Sequence, residues 1–205
     1  MLTVRGLQKA FGARRVLRGL DLSVTDGEVV LLQGENGAGK STLLRILATL
    51  DRADSGEAEV DGFPLGDGVE VRSRIGFIGH RPGFYGELSG RENLALWSRL
   101  HQLPEHGTNI DAILERVGLK SFSNDRTGIY SRGMLQRLAL ARAALHRPTT
   151  LLLDEPFAAL DGDGRELLRT LIAEWRADNR AVLVVAHGSR LAADRTLVLA
   201  DGVVA

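Results

Sequence analysis

The chain has 205 residues, 44% of them hydrophobic, which suits one large domain, with or without a small inserted lobe, and argues against a multi-domain enzyme. Acidic and basic side chains balance at 26 each, so no bulk positive field draws the protein onto nucleic acid or anionic lipid, and any anion binding has to be local. The absence of cysteine excludes disulfides, thiolate zinc sites, iron–sulfur clusters and cysteine nucleophiles, and is compatible with a reducing compartment.

In chain order, Leu2 to Val4 and Leu20 to Val24 alternate apolar and polar residues, as half-buried strands do. Asp26-Gly27 predicts a turn before Glu28-Val29-Val30-Leu31-Leu32, whose consecutive apolar residues suit a strand covered on both faces. Glycines follow, then a helical stretch from Ser41 to Leu50 with Leu43, Leu44, Leu47 and Leu50 on one face. Between Pro82 and Pro148 the pattern turns helical. Ser89 and Glu92 form a capping box. A second helix with Ile110, Ile113, Leu114 and Val117 at core spacing stops at Gly118, and a third from Arg132 to His146 aligns Met134, Leu138, Ala141 and Leu145. A buried strand returns at Thr150-Leu151-Leu152-Leu153. A helix with Leu167, Leu168, Leu171, Ile172 and Trp175 follows, then a strand from Ala181 to Ala186, then Thr196 to Leu199 and Val203-Val204 around an Asp201-Gly202 turn. Strands alternating with helices predict a largely parallel sheet. The charged start, Met1 to Arg15, reads as no signal peptide, and no window approaches the roughly 20 apolar residues that span a bilayer, so a membrane role is expected to require docking on another chain.

Gly34, Glu35, Asn36, Gly37, Ala38, Gly39, Lys40 and Ser41 match G-x-x-x-x-G-K-[ST], with Thr42 next, between a buried strand and a helix. Glycines let successive N–H groups curl around phosphates, the helix N-terminus adds to the anion field, Lys40 reaches the terminal phosphates, and the Ser41 hydroxyl suits Mg²⁺. Asp154 and Glu155 directly follow the second buried strand, at the end of an open parallel sheet where ligands bind. Phosphoryl transfer needs a metal holder and a group that orients water, roles that fall to Asp154 and Glu155 respectively. His187 follows a third apolar strand, where it either contacts the γ-phosphate and the attacking water or simply terminates the strand.

Together these residues resemble the ABC ATPase family over nearly the whole chain. Tyr130-Ser131-Arg132-Gly133-Met134-Leu135-Gln136-Arg137 is similar to the family signature, although glycine is usual where Arg132 stands and glutamine where Met134 stands. The resemblance implies an α/β phosphate-loop fold of ABC ATPase type, with a mostly parallel core sheet and an N-terminal antiparallel β region. Residues 1–81 and 149–205 form the nucleotide-binding core, and residues 82–148 an inserted α-helical subdomain. It implies that ATP with Mg²⁺ is the cofactor and that Lys40, Glu155 and His187 are catalytic. Phe11 stacks on adenine or else is a core residue, and Ser131 and Gly133 serve the ATP of a partner subunit in a head-to-tail homodimer. Ala159-Leu160-Asp161 crosses that interface, or Asp161 caps the next helix. His80 stands where the family usually has a glutamine that senses Mg²⁺ and the membrane partner.

Gly79-His80-Arg81-Pro82-Gly83, with Glu87-Leu88-Ser89 and Glu92-Asn93-Leu94, is similar to the haem exporter ATPase of cytochrome c maturation. The expected function is the ATP-hydrolysing subunit of that transporter, working with integral-membrane permease subunits on the cytoplasmic face of the membrane and with no nucleic acid. A drug or polysaccharide exporter ATPase is the alternative within transport. An ABC ATPase acting on DNA or ribosomes is the alternative outside it.

Overall fold

The structure is a computed structural model that describes residues 1–80, 83–103, 109–186 and 191–204. Its elements run β1 (Leu2–Phe11), β2 (Arg14–Val24), β3 (Val29–Gln33), α1 (Lys40–Leu47), β4 (Ser55–Val60), β5 (Phe63–Pro64), α2 (Val69–Ser73) and β6 (Ile75–Ile78). There follow α3 (Gly90–Leu100), α4 (Ile110–Arg116), α5 (Arg132–Leu145), β7 (Thr150–Asp154), α6 (Gly162–Ala177), β8 (Ala181–Val185), β9 (Arg195–Ala200) and β10 (Val203–Val204). One sheet is antiparallel, in the order β2-β1-β4-β5, and the other has the order β10-β9-β3-β8-β7-β6. In the second, every pairing from β9 to β6 is parallel and only the edge strand β10 runs antiparallel.

The parallel strands are apolar at consecutive positions because each face meets a different core. Val29 and Leu31, Leu151 and Leu153, and Val182 and Val184 face a core shared with α3, α4, α5 and α6. Val30, Leu32, Leu152, Leu183 and Val185 face the other, which is completed by α1 and the inner face of β1, β2 and β4. Helix α1 is held between the two sheets, with Leu43, Leu44, Ile46 and Leu47 buried. Truncating one such side chain to alanine costs about 2–5 kcal/mol.

Several boundaries differ from the periodicity reading. Helix α1 starts one residue earlier than expected and ends at Leu47; Thr49 then takes φ 60, and Leu50 is 54% exposed rather than on the buried face. Strand β1 continues to Phe11, past the alternating stretch recognised in the sequence. Strand β4 was not evident because Ser55-Gly56-Glu57-Ala58-Glu59-Val60 buries only Ala58 and Val60. The Ser89–Glu92 capping box is formed as expected.

Where α5 ends, His146 packs under α3. Its Nε2 lies 2.9 Å from the Ile75 carbonyl oxygen, which fixes the proton there as a donor and leaves Nδ1 buried without a partner. The ring stacks on His101 at 4.2 Å. Burial chiefly, with the charges of His101 and Arg180, pushes the His146 pKa down to about 4 from an ordinary 6.5. A folded pKa below the unfolded value means that stability is fully present above pH 6.5 and is lost as pH falls toward 4. The loss amounts to about 3 kcal/mol. Melting temperatures between pH 7.5 and pH 4.5 are expected to fall more steeply for the parent than for His146→Phe, which starts lower for want of the Ile75 bond. Equal slopes would remove His146 as the titrating group.

Candidate functional site

The site forms at the carboxyl ends of β3 and β7, with β8 between them. Beyond β3 the chain turns through Gly34 (φ 149), Gly37 (φ 84) and Gly39 (φ 109), backbone that favours glycine. At Gly34 space forbids a side chain as well, since a Cβ there would stand 2.3 Å from the Leu199 carbonyl oxygen. The loop curls around Lys40, which is 7% exposed and donates from Nζ to the carbonyl oxygens of Gly34 at 2.7 Å and Glu35 at 2.8 Å. An ammonium has three donors, so one remains for a ligand. Gly39 caps α1 without a side chain, and no acid occupies the first turn, so the helix offers its N–H groups and positive end to an anion.

Asn36, Gly37, Gly39, Lys40, Ser41 and Thr42 line a pocket of about 390 Å³ together with Phe11, Asp154 and Glu155. Gly34, Glu35 and Ala38 line its neighbour behind the loop. That neighbour, about 790 Å³, and a groove of about 770 Å³ over β4 are larger, but neither contains Lys40, Ser41 or the paired acids. Chemistry, not size, marks the site. Phe11 is 53% exposed at the end of β1, not a core residue, with the Lys9 ammonium 5.3 Å from its ring. The tight hairpin at Gly12 sets Arg14 opposite Phe11 in register, and Arg14 Nη2 donates to the Gly37 carbonyl oxygen at 3.1 Å. Arg14 and Val16 line the same pocket and were not recognised in the sequence. The glycine of that hairpin, next to the aromatic residue, was the available signal.

Asp154 ends β7 opposite Val185 and is 5% exposed, its Oδ1 buried with no hydrogen-bond partner. Burial raises its pKa, while a hydrogen bond with Ser41 and the charges of His80 and Lys40 pull the other way. An orphaned buried carboxylate oxygen beside a serine hydroxyl suits a hard cation whose remaining ligands are water and phosphate. Among the described residues no three His, Asp or Glu side chains cluster to hold a metal by themselves. Glu155 follows with φ 50, a left-handed backbone costly for a residue with a side chain, and its N–H donates to the Val185 carbonyl oxygen at 2.8 Å. Buried Gln136 of α5 donates from Nε2 to the Pro156 carbonyl oxygen at 3.0 Å, which ties the signature helix to the turn after Glu155.

Ser131 caps α5 by accepting from the Met134 N–H at 3.2 Å, and Gly133 leaves only 3.1 Å between a hypothetical Cβ and the Ala159 carbonyl oxygen. Neither Ser131 nor Gly133 lines the phosphate-loop pocket. Asp161 caps α6, accepting from the Gly164 N–H at 2.8 Å and from Arg137 Nη2 at 2.9 Å, so within one chain the capping role is the one realised. His80 is exposed just beyond β6. His187, Arg81 and Pro82 lie outside the described residues.

The family model described as ABC transporter matches residues 17–158. The chain is 37% identical over 207 residues to the ABC transporter ATP-binding protein YdbJ of Bacillus subtilis, across 98% of this chain and 67% of that one. It is 34% identical over 213 residues to the lipoprotein-releasing system ATP-binding protein LolD of Bacteroides fragilis, across 98% and 99%. A solved dimeric structure of an ATP-binding cassette in a post-hydrolysis state, bound to ADP and Pi, covers 100% of this chain and 96% of that one at TM-score 0.85 and 29% identity. Among the described residues no helix is long and apolar enough to cross a membrane. The family match spans the phosphate loop, the serine-capped helix and the paired acids together, and this chain therefore belongs to the ABC transporter family as an ATP-binding subunit that hydrolyses its nucleotide.

Proposed function

We propose that the chain powers a membrane permease from its cytoplasmic face, as one of two ATPase subunits that close head to tail on ATP. The observation that carries this reading is the convergence of Lys40, Ser41, Asp154 and Glu155 on one pocket. Phe11 takes the adenine, and the loop from Gly34 to Thr42 takes the phosphates. Ser41 and Asp154 hold Mg²⁺, which when bound neutralises phosphate charge. Glu155 orients the attacking water, and His187 contacts the γ-phosphate. Ser131 and Gly133, which do not line their own chain's pocket, meet the partner subunit's ATP, with residues 82–148 moving against the core of residues 1–81 and 149–205. Nucleotide binding drives closure and hydrolysis resets it.

The cargo we propose is haem, delivered for cytochrome c maturation. The residues that support this are Gly79-His80-Arg81-Pro82-Gly83 and the Glu87-Leu88-Ser89 and Glu92-Asn93-Leu94 stretches. His80 is the coupling element, acting on Asp154 by its charge and on the permease by its exposure. Deleting the gene in its own cells and staining c-type cytochromes for covalent haem tests the cargo. Loss of haem staining, restored by the parent gene and not by Lys40→Ala, supports the proposal. Normal cytochromes overturn haem export and leave the ATPase reading standing.

A further inference from the structure

Between β7 and α6 the chain passes through a turn with two left-handed residues, Glu155 at φ 50 and Ala159 at φ 63. Such backbone persists only where its surroundings hold it. Upstream of the Glu155 side chain the hold comes from β8, through the bond from the Glu155 N–H to the Val185 carbonyl oxygen at 2.8 Å. Downstream it comes from α5. Pro156 has no N–H to offer and is held through its carbonyl oxygen, to which Gln136 donates from Nε2 at 3.0 Å. Two more α5 residues grip the same turn: a Cβ on Gly133 would stand 3.1 Å from the Ala159 carbonyl oxygen, and Arg137 Nη2 donates to Asp161 at 2.9 Å. Gln136 is 7% exposed, on a helix whose next residues but one, Leu138, Ala139 and Leu140, belong to the core. An apolar side chain would fill its place without losing hydration, whereas a buried amide needs a partner, and the partner here is the residue next to Glu155.

We infer that Gln136 is a positioning residue for hydrolysis: its amide fixes the Pro156 carbonyl, and with it the direction in which Glu155 presents its carboxylate to water. The inference rests on the proposed role of Glu155 and names the residue that sets its aim. A carboxylate that orients water acts by geometry, and a misplacement of about 1 Å can cost roughly 10²-fold in rate. With its own N–H tied to β8 and the following residue tied to α5, Glu155 is clamped from two elements. Without the amide the β8 bond remains as a hinge, and the turn beyond it is released. Lys40, Ser41 and Asp154 reach the pocket from the loop before α1, from α1 and from β7, none of which hangs on Gln136. Rate and nucleotide affinity should therefore separate.

The test is steady-state ATPase of the full chain. Gln136→Met, which keeps the length and burial of the side chain but removes the donor, is expected to lower kcat at least tenfold. KM and the Kd of a fluorescent ATP analogue should stay within twofold of the parent. Gln136→Glu keeps the shape and turns the donor into an acceptor, so it is expected to lose at least as much, and it decides the matter should Gln136→Met melt far below the parent. Because Gln136 acts through Glu155, adding Gln136→Met to Glu155→Gln should slow single-turnover phosphate release by less than a further twofold. A kcat within twofold of the parent in both single variants overturns the inference. So does a KM or Kd that rises in step with the fall in kcat, the mark of a purely structural role, and so does a double variant slowed tenfold beyond Glu155→Gln. If Glu155→Gln alone hydrolyses ATP like the parent, the role of Glu155 falls, and that of Gln136 with it.

Discussion

Glu155→Gln protein is expected to bind ATP as tightly as the parent yet release phosphate 10²- to 10⁴-fold more slowly, the range for loss of a positioned general base. That corresponds to about 3–5 kcal/mol of barrier. The amide keeps the size of the side chain and leaves the loop, Lys40, Ser41 and Asp154 untouched, so the phosphate contacts are expected to persist while the carboxylate proposed to polarise water is gone. The site makes this separation sharp, because Glu155 is aimed by its own backbone. Its φ of 50 and the N–H bond to Val185 place the side chain at the pocket's edge, and Gln136 pins the next residue. An ATP-bound dimer then accumulates because closure proceeds and the resetting step does not. Phosphate-release assays paired with light scattering in Mg·ATP check both halves. Equal hydrolysis rates would take Glu155 out of the chemistry, and a variant that stays monomeric at saturating ATP would count against the two-subunit site.

The same geometry shows why some of the site was readable in the sequence and some was not. The loop from Gly34 to Ser41 and the pair Asp154-Glu155 were legible because each function demands consecutive residues of fixed type at the end of an apolar strand, and the strands themselves are buried on both faces. The capping box at Ser89 was legible for a similar reason, since both partners lie within one turn. Arg14 was not, because its place in the pocket depends on the β1–β2 hairpin folding Phe11 and Arg14 into register and on β1 running well beyond its alternating stretch. Asp161 stayed ambiguous until its partners, the Gly164 N–H and Arg137, were seen from two different helices.

Lys40→Ala is expected to abolish useful nucleotide binding. In the structure the ammonium is buried and committed to two loop carbonyl oxygens, which leaves a third donor on a residue that lines the pocket. Removing it takes away the positive charge that terminal phosphates meet and the pin that holds the loop's curl at Gly34 and Glu35. Hydrogen bonds to charged groups are worth about 1.5–3 kcal/mol each. Losing the one directed at phosphate lowers ATP affinity by roughly 10- to 10²-fold, at 1.4 kcal/mol per tenfold. The core should survive, since Leu43, Leu44, Ile46 and Leu47 anchor α1 independently of the loop. Titration with a fluorescent ATP analogue and a melt without nucleotide separate the two effects: the expected variant melts within a few degrees of the parent and shows no saturable binding at concentrations that fill the parent. Asp154→Asn makes the complementary case, since it should weaken the Mg²⁺ dependence of binding while metal-free nucleotide still reaches the loop. If Lys40→Ala protein binds and cleaves Mg·ATP like its parent, the phosphates are held elsewhere, and neither the pocket assignment nor the role given to Glu155 survives.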